Sequence, residues 1–477
     1  MATHFVEPIP ARLLMWQRVR EYAVPPSMIE NATARRAVGD WAGACAAARI
    51  DVDLDLRAVR DRHGTDLTSR LRADLRRLAP DLLRWHMPRT APDGRLRPGL
   101  TLCLARYGAH GRTTPQLVVR TPPAWADAGQ RMTLALWEGP RDPAPALHPH
   151  PRPDRRFRLD LHRHLWDATR GPELAVRCGD GVEWRGTGDD GPPHPPEHWT
   201  AEAELLLRAD GHAPRGPFTV RFGTRSHGFY ELVAPDDGHA PVLRPLREVP
   251  SARARAELPV LPEAAARPLP DLELLRAGLL RADRLHPLVA DALSARDAVR
   301  PSVPGPARDH GPDASRGTDP HRVDCLGEVH RIALRDGTLT AVDHEPAQLA
   351  REELLMALGG PGLPCLRAID TVHRSPEALP AVRERLGHGD VTGALAVVEG
   401  LLGPGALLRE GPLRDALEAA VAGRLDDGLF RSGLVPVHPA ALVADVAGRR
   451  PRLDRRLPLV LRRKRGSRTR PRTGLRD

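Results

Sequence analysis

Apolar residues recur at helical spacing near both ends of the chain and alternate with polar ones in between. Leu14, Met15, Val19 and Tyr22 predict a helix over 11–22. Pro25-Pro26 breaks it. Ser27, with Glu30 three residues on, predicts a capped helix running to Gly39. Asp40 is placed to cap a short Ala-rich helix over 41–49, and two more helices are expected near 54–63 and 66–86, around Gly64. Between 95 and 246 the period shortens. Runs at 100–107, 116–121, 131–138, 156–164, 217–222 and 228–233 read as strands of an antiparallel sheet or small sandwich, with one helix at 197–209. Helical spacing returns over 269–295, with a break expected at Pro287. Asp336-Gly337 lies between two β-like runs over 330–342, a strong hairpin signal. Helices are expected after it at about 345–358, 376–387, 391–402 and 412–431.

These patterns predict an α+β protein with an N-terminal helical domain, a central antiparallel β-rich domain, and a C-terminal β-hairpin plus helices. The expected division is 1–92 helical, 93–246 β-rich, 247–295 a helical connector, 296–320 a disordered linker, 321–440 hairpin plus helices, and 441–477 a basic disordered tail. The linker is expected because apolar residues almost vanish there. One internal echo stands out. Gly39-Asp40-Trp41-Ala42-Gly43-Ala44-Cys45-Ala46 matches Gly389-Asp390-Val391-Thr392-Gly393-Ala394-Leu395-Ala396 at five of eight positions. Both read as a corner between two helices; two distant copies do not make a repeat array. The helical segments resemble an uncharacterised actinobacterial-type protein family of unknown function, and that resemblance implies no activity.

Composition narrows the chemistry. Fifty prolines in 477 residues are roughly twice the usual ~5%, so much of the chain is expected as loop. Lys464 is the only lysine, which excludes a phosphate-binding P-loop and Schiff-base chemistry elsewhere in the chain. The net charge is +10, but residues 448–477 alone carry thirteen Arg and Lys against two Asp. The basicity therefore belongs to the tail. Arg462, Arg463, Lys464 and Arg465 are the candidates for nonspecific nucleic-acid association, without aromatic residues to stack on bases. Five dispersed cysteines with no CxxC argue for a reducing, cytoplasmic setting. No secretory signal, transmembrane helix or membrane partner is expected.

The metal candidate is Asp160, His162 and His164, which share one face if 156–164 is a strand. His148 and His150 lie in a proline-rich loop. Cys325, Glu328, His330 and Pro364-Cys365 are comparable with the zinc signature of nucleobase deaminases but depart from it twice. Glu328 follows Cys325 by three residues, and Ala368 stands where a cysteine is required. These cysteines are read as buried and structural. Ser226-His227 carries no nucleophile elbow, there is no dinucleotide fingerprint, and Glu202 and Glu204 point apart on their helix. Trp125, Trp137 and Trp166 are read as core. With no complete catalytic motif and no assignable cofactor, the leading expectation is a noncatalytic protein-binding or scaffold protein with an unidentified protein partner. A metal-dependent hydrolase using the His-x-His strand is the alternative.

Overall fold

The computed structural model describes residues 9–440 apart from 109–113, 124–128, 140–151, 178–197, 224–225, 234–239, 247, 300–321, 336–337, 375–378, 404, 406 and 436. The tail cluster Arg462–Arg465, most of the expected linker, His148, His150 and Trp125 lie outside the described residues. The chain divides into two compact units, one spanning Met1–Pro301 with Val435–Asp477, the other Ser302–Leu434. Helices, antiparallel strands and a C-terminal meander followed by helices make the fold α+β.

In the first unit the leading helix Ala11–Arg18 runs on into a π-helical turn, Val19–Ala23, before the two prolines. The next helix is Pro26–Ala37, with Pro25 rather than Ser27 at its N-cap. Pro25 makes no capping hydrogen bond; the start is set by Pro26, whose fixed φ and missing N–H suit the first helical position. Asp40 caps the helix Trp41–Ala47 by accepting from the Gly43 amide. Strand β1, Ile50–Asp53, follows, where helix-to-helix continuity was expected. Helix Leu56–Arg77 is bent at Gly64 (φ 82°, ψ 176°), and Pro80–His86 forms a separate turn of helix.

Strands β2 (Thr101–Arg106), β3 (Gln116–Arg120) and β4 (Met132–Trp137) complete a four-stranded sheet in the order β1-β4-β3-β2. β1 pairs parallel with β4; the other pairings are antiparallel. All five residues of β3 are buried. Leu117 and Val119 share a core with Leu71, Leu75 and Trp85 of the helices, while Val118 packs with Ala135 and Trp137 on the other face. The helices of 1–92 and the sheet of 93–246 thus share one core. The connector over 247–295 joins it as well, through Leu269, Leu272 and Val289.

The expected strand over 156–164 does not form. Cys103 donates to the Phe157 carbonyl and Asp160 donates back to Cys103, giving one bridge to the edge of β2. The amides of Leu161 and His162 then turn back onto Arg158 and Leu159. Buried Trp166 donates its Nε1–H to the Leu159 carbonyl at 2.9 Å, which draws the segment inward as a 3-10 turn, Arg163–Leu165. The alternation in sequence is real, but it marks a curl pinned by an indole.

A smaller sheet follows in the same unit: β5 (Gly216–Arg221), β6 (His227–Val233) and β7 (Val242–Pro245), all antiparallel. Helix His198–Ala209 covers it, setting Trp199, Leu206 and Leu207 against Phe218, Val220 and Tyr230.

The second unit opens with a meander of β8 (Arg322–Cys325), β9 (Glu328–Arg335) and β10 (Thr338–Ala341). The expected hairpin strands flank 336–337, with Arg335 opposite Thr338. Helices Pro346–Ala357, Pro364–Arg374, Leu379–Gly387, Val391–Leu402 and Pro412–Arg431 follow. Their apolar faces meet the meander through Ile332, Leu339, Leu366, Ile369 and Val398.

Candidate metal centre

Three segments far apart in sequence converge in the second unit. β8 and β9 are joined by Leu326-Gly327, both at positive φ (61° and 91°), the backbone of a two-residue hairpin turn. That turn sets Cys325 at the end of β8, fully buried. His344 sits in the turn after β10, its amide donating to the Ala341 carbonyl. Cys365 is the second residue of helix Pro364–Arg374 and is also fully buried.

The geometry is that of a ligand set. Cys325 Sγ lies 3.5 Å from Cys365 Sγ and 3.6 Å from His344 Nε2. All three ligand atoms fall within 4.8 Å of one another. A tetrahedral zinc with bonds of ~2.3 Å to sulfur and ~2.0 Å to nitrogen requires edges of about 3.8 Å between sulfurs and about 3.5 Å from sulfur to nitrogen. The two edges that meet at Cys325 match to about 0.3 Å. Both cysteines are free thiols. His344 Nδ1 is 3.3 Å from Gln348 Oε1. Donation there places the ring proton on Nδ1 and leaves the Nε2 lone pair facing the sulfurs, the orienting contact that metal-binding histidines usually have. The His330 ring stacks on His344, centroids 4.2 Å apart, and its buried Nδ1 has no hydrogen-bond partner among the described residues. Burial and the neighbouring Cys325 push the Cys365 thiol up to about 11; a bound dication reverses that balance by stabilising the thiolate. Among the described residues this is the one group of three or more His, Cys, Asp or Glu side chains placed to hold an ion.

The sequence-predicted trio is arranged differently. His162 and His164 do come together, with ring centroids 5.7 Å apart, and both are buried. Their acidic neighbour is Glu202 from helix His198–Ala209, 3.1 Å from His162 Nε2. Arg177 also holds Glu202, through two bonds of 2.7 and 2.6 Å. Burial opposes ionisation of Glu202, yet the hydrogen bonds from His162 and Arg177 prevail and hold it at about 2. Burial drives His164 well below its ordinary value, so its ring is neutral. Asp160 points elsewhere and is gripped by Arg158 at 2.9 Å and Arg106 at 3.4 Å. The shared strand face that would have united the three residues is absent because the segment curls. Trp137 and Trp166 are core, as expected.

Sequence reasoning singled out Cys325, His330 and Cys365 but not their union with His344. The spacings between Cys325, His344 and Cys365 are long and lack the close pairs that mark zinc sites in sequence. The available signal was His344 and Cys365 following a meander whose first strand ends in Cys325. No family model, curated protein or solved structure matches the chain.

Proposed function

We propose that this chain is a noncatalytic protein-binding protein whose second unit is held in shape by one zinc ion at Cys325, His344 and Cys365. The observation that carries the reading is the convergence of the three ligand atoms within 4.8 Å, with the two edges at Cys325 close to those of a zinc tetrahedron. Two thiolates and an imidazole are a soft donor set that selects zinc over magnesium or calcium. His330, stacked on His344 with a buried Nδ1 that makes no hydrogen bond, would supply the fourth ligand by leaving the stack and turning that nitrogen toward the sulfurs. A site closed by four protein ligands and sealed from solvent organises a fold and offers no open position to substrate. Apolar residues left exposed on the same unit, such as Leu354 and Leu355 on one helix and Val421 and Leu425 on another, support a role in binding other proteins.

The test is metal analysis of the purified full-length protein together with its cobalt-substituted spectrum. About one zinc per chain is expected, lost in Cys325→Ser and Cys365→Ser and retained in His162→Ala. The cobalt form should show an intense tetrahedral spectrum that added azide leaves unchanged. Metal that leaves with His162 or His164 instead would transfer the reading to a metal hydrolase. A spectrum shifted by azide would expose an open coordination position and sink the noncatalytic half of the proposal.

A further inference from the structure

Asp160, freed from the histidines beside it in sequence, lines a cavity of about 460 Å³ in the first unit. The size falls within the ~300–1,000 Å³ range of small-molecule sites. One face of helix Leu56–Arg77 forms a wall through Arg70, Ala73, Asp74 and Arg77. β2 contributes Arg106, and the curl after Arg158 contributes Arg163. Four arginines and two aspartates therefore line the space.

The carboxylates there are already neutralised. Asp74 accepts from Tyr107 Oη at 2.9 Å, Arg77 at 2.9 Å and Arg163 at 2.5 Å. Asp160 accepts from Arg158, with Arg106 3.4 Å away. Behind the lining, Asp167 takes Arg163 at 3.0 Å and Asp210 takes Arg158 at 2.7 Å. Counting this second layer, Arg77, Arg106, Arg158 and Arg163 balance Asp74, Asp160, Asp167 and Asp210. Arg70 is the surplus charge, and it makes no ion pair or hydrogen bond among the described residues. Arg77 is committed in part: its Nη2 holds Asp74 at 2.9 Å and its buried Nε lies 3.8 Å from Asp167, beyond hydrogen-bond distance. An anion placed here meets four guanidinium groups and one uncompensated positive charge. A cation meets saturated carboxylates.

We propose that this cavity binds a small phosphate-bearing anion, with Arg70 and Arg77 as the donors that grip it. Planar guanidinium groups match tetrahedral oxyanions through paired N–H donors. The small side chains Ala73, Ala105 and Ala209 leave room for the group that carries the phosphate.

The test titrates inorganic pyrophosphate into the full-length protein by calorimetry at about 0.15 M salt, where distant exposed charges are screened. Four proteins are compared: wild type, Arg70→Ala, Arg70→Ala with Arg77→Ala, and a tail control, Arg462→Ala with Arg463→Ala. Saturable one-to-one binding is expected in the wild type and the tail control. Arg70→Ala should weaken it at least about tenfold, the loss of one charge-assisted donor. Arg70 is exposed, so its removal leaves the fold intact and keeps the test decisive even if the double variant unfolds. The proposal is overturned if the wild type shows no saturable binding, or if binding survives Arg70→Ala and disappears with the tail control.

Discussion

The two units bury polar side chains in different ways. In the first, buried charges meet carboxylates or backbone carbonyls from elsewhere in the chain. Arg20 grips Asp271 through two bonds of 2.8 Å, donates to the Trp85 carbonyl at 2.7 Å and lies 4.1 Å over the Trp85 ring. The Trp85 indole in turn donates to Asp271. Asp81 pairs with His286 at 3.0 Å, and Arg84 satisfies the carbonyls of Ala48, Arg49 and Gln130. The second unit buries such a pair, Arg385 with Asp390, and adds Cys325, Cys365 and His344 with His330 beside them, soft donors turned toward one another. The first unit is closed by its own residues. The second holds the donor set of the zinc site proposed above.

The largest expected effect separates the units on that basis. Chelation, or Cys325→Ser with Cys365→Ser, should remove hydrogen-exchange protection across 322–434 and leave 9–299 protected. Structural zinc sites contribute about 10 kcal/mol or more to folding, beyond what a small unit has to spare. Equal loss in both units, or unchanged protection in the second, would break the comparison.

The reverse experiment acts on the first unit alone. Asp271→Asn leaves Arg20 charged and fully enclosed, and removing one partner of a buried pair costs about 3–5 kcal/mol. Thermal melting should show that loss while zinc content stays unchanged. A small effect would mean that Arg20 reaches water or sheds its proton, for which burial already biases it.

How much of this was legible in the sequence follows the range of each interaction. Periodicity located most helices, five of the six expected strands, the Asp40 cap and the C-terminal hairpin, because those signals are local. It missed β1, β7 and β8, since four residues each carry too little pattern, and it made a strand of 156–164, since alternation cannot reveal that Trp166 will fold back onto Leu159. It also divided the first unit into pieces. The bonds from Arg20 to Asp271 and from Arg84 to Gln130 span 251 and 46 residues. The metal centre failed to show for the same reason: His344 has no local mark as a ligand. Only after the meander folds does it stand beside Cys325 and Cys365.

A pH titration sharpens the contrast at a site the sequence did notice. Glu202 moves from 4.5 to about 2 in the folded first unit, its burial outweighed by His162 and Arg177. A depressed carboxylate stabilises the fold above its unfolded value, and that stability is lost as pH falls through the folded one. Between about pH 4.5 and pH 2 the first unit should therefore lose about 2–3 kcal/mol from this group. In Glu202→Gln that part of the acid dependence should vanish, read as a flatter melting temperature across the window.

The smallest effect uses the one feature the units share. Asp40 accepts from the Gly43 amide at 2.8 Å and pairs with Arg35; Asp390 accepts from the Gly393 amide at 3.2 Å and pairs with Arg385. The echo in sequence is thus a repeated corner down to its ion pair. Glycine is needed at the third helical position because a Cβ there would lie 2.0 Å from Asp40 Oδ2 in one copy and 2.1 Å from Asp390 Oδ2 in the other. The surroundings differ. The Asp390 side chain is 2% exposed and that of Asp40 is 36%. Asp390→Ala should cost about 1 kcal/mol, the usual value of an N-cap, and Asp40→Ala should cost less because water replaces its contacts. Gly393→Ala should match Asp390→Ala, since the added methyl displaces the same carboxylate. Combining the two should add little, because both remove one bond. Fully additive losses, measured by exchange in Val391–Leu402, would show that Gly393 serves close packing rather than the cap.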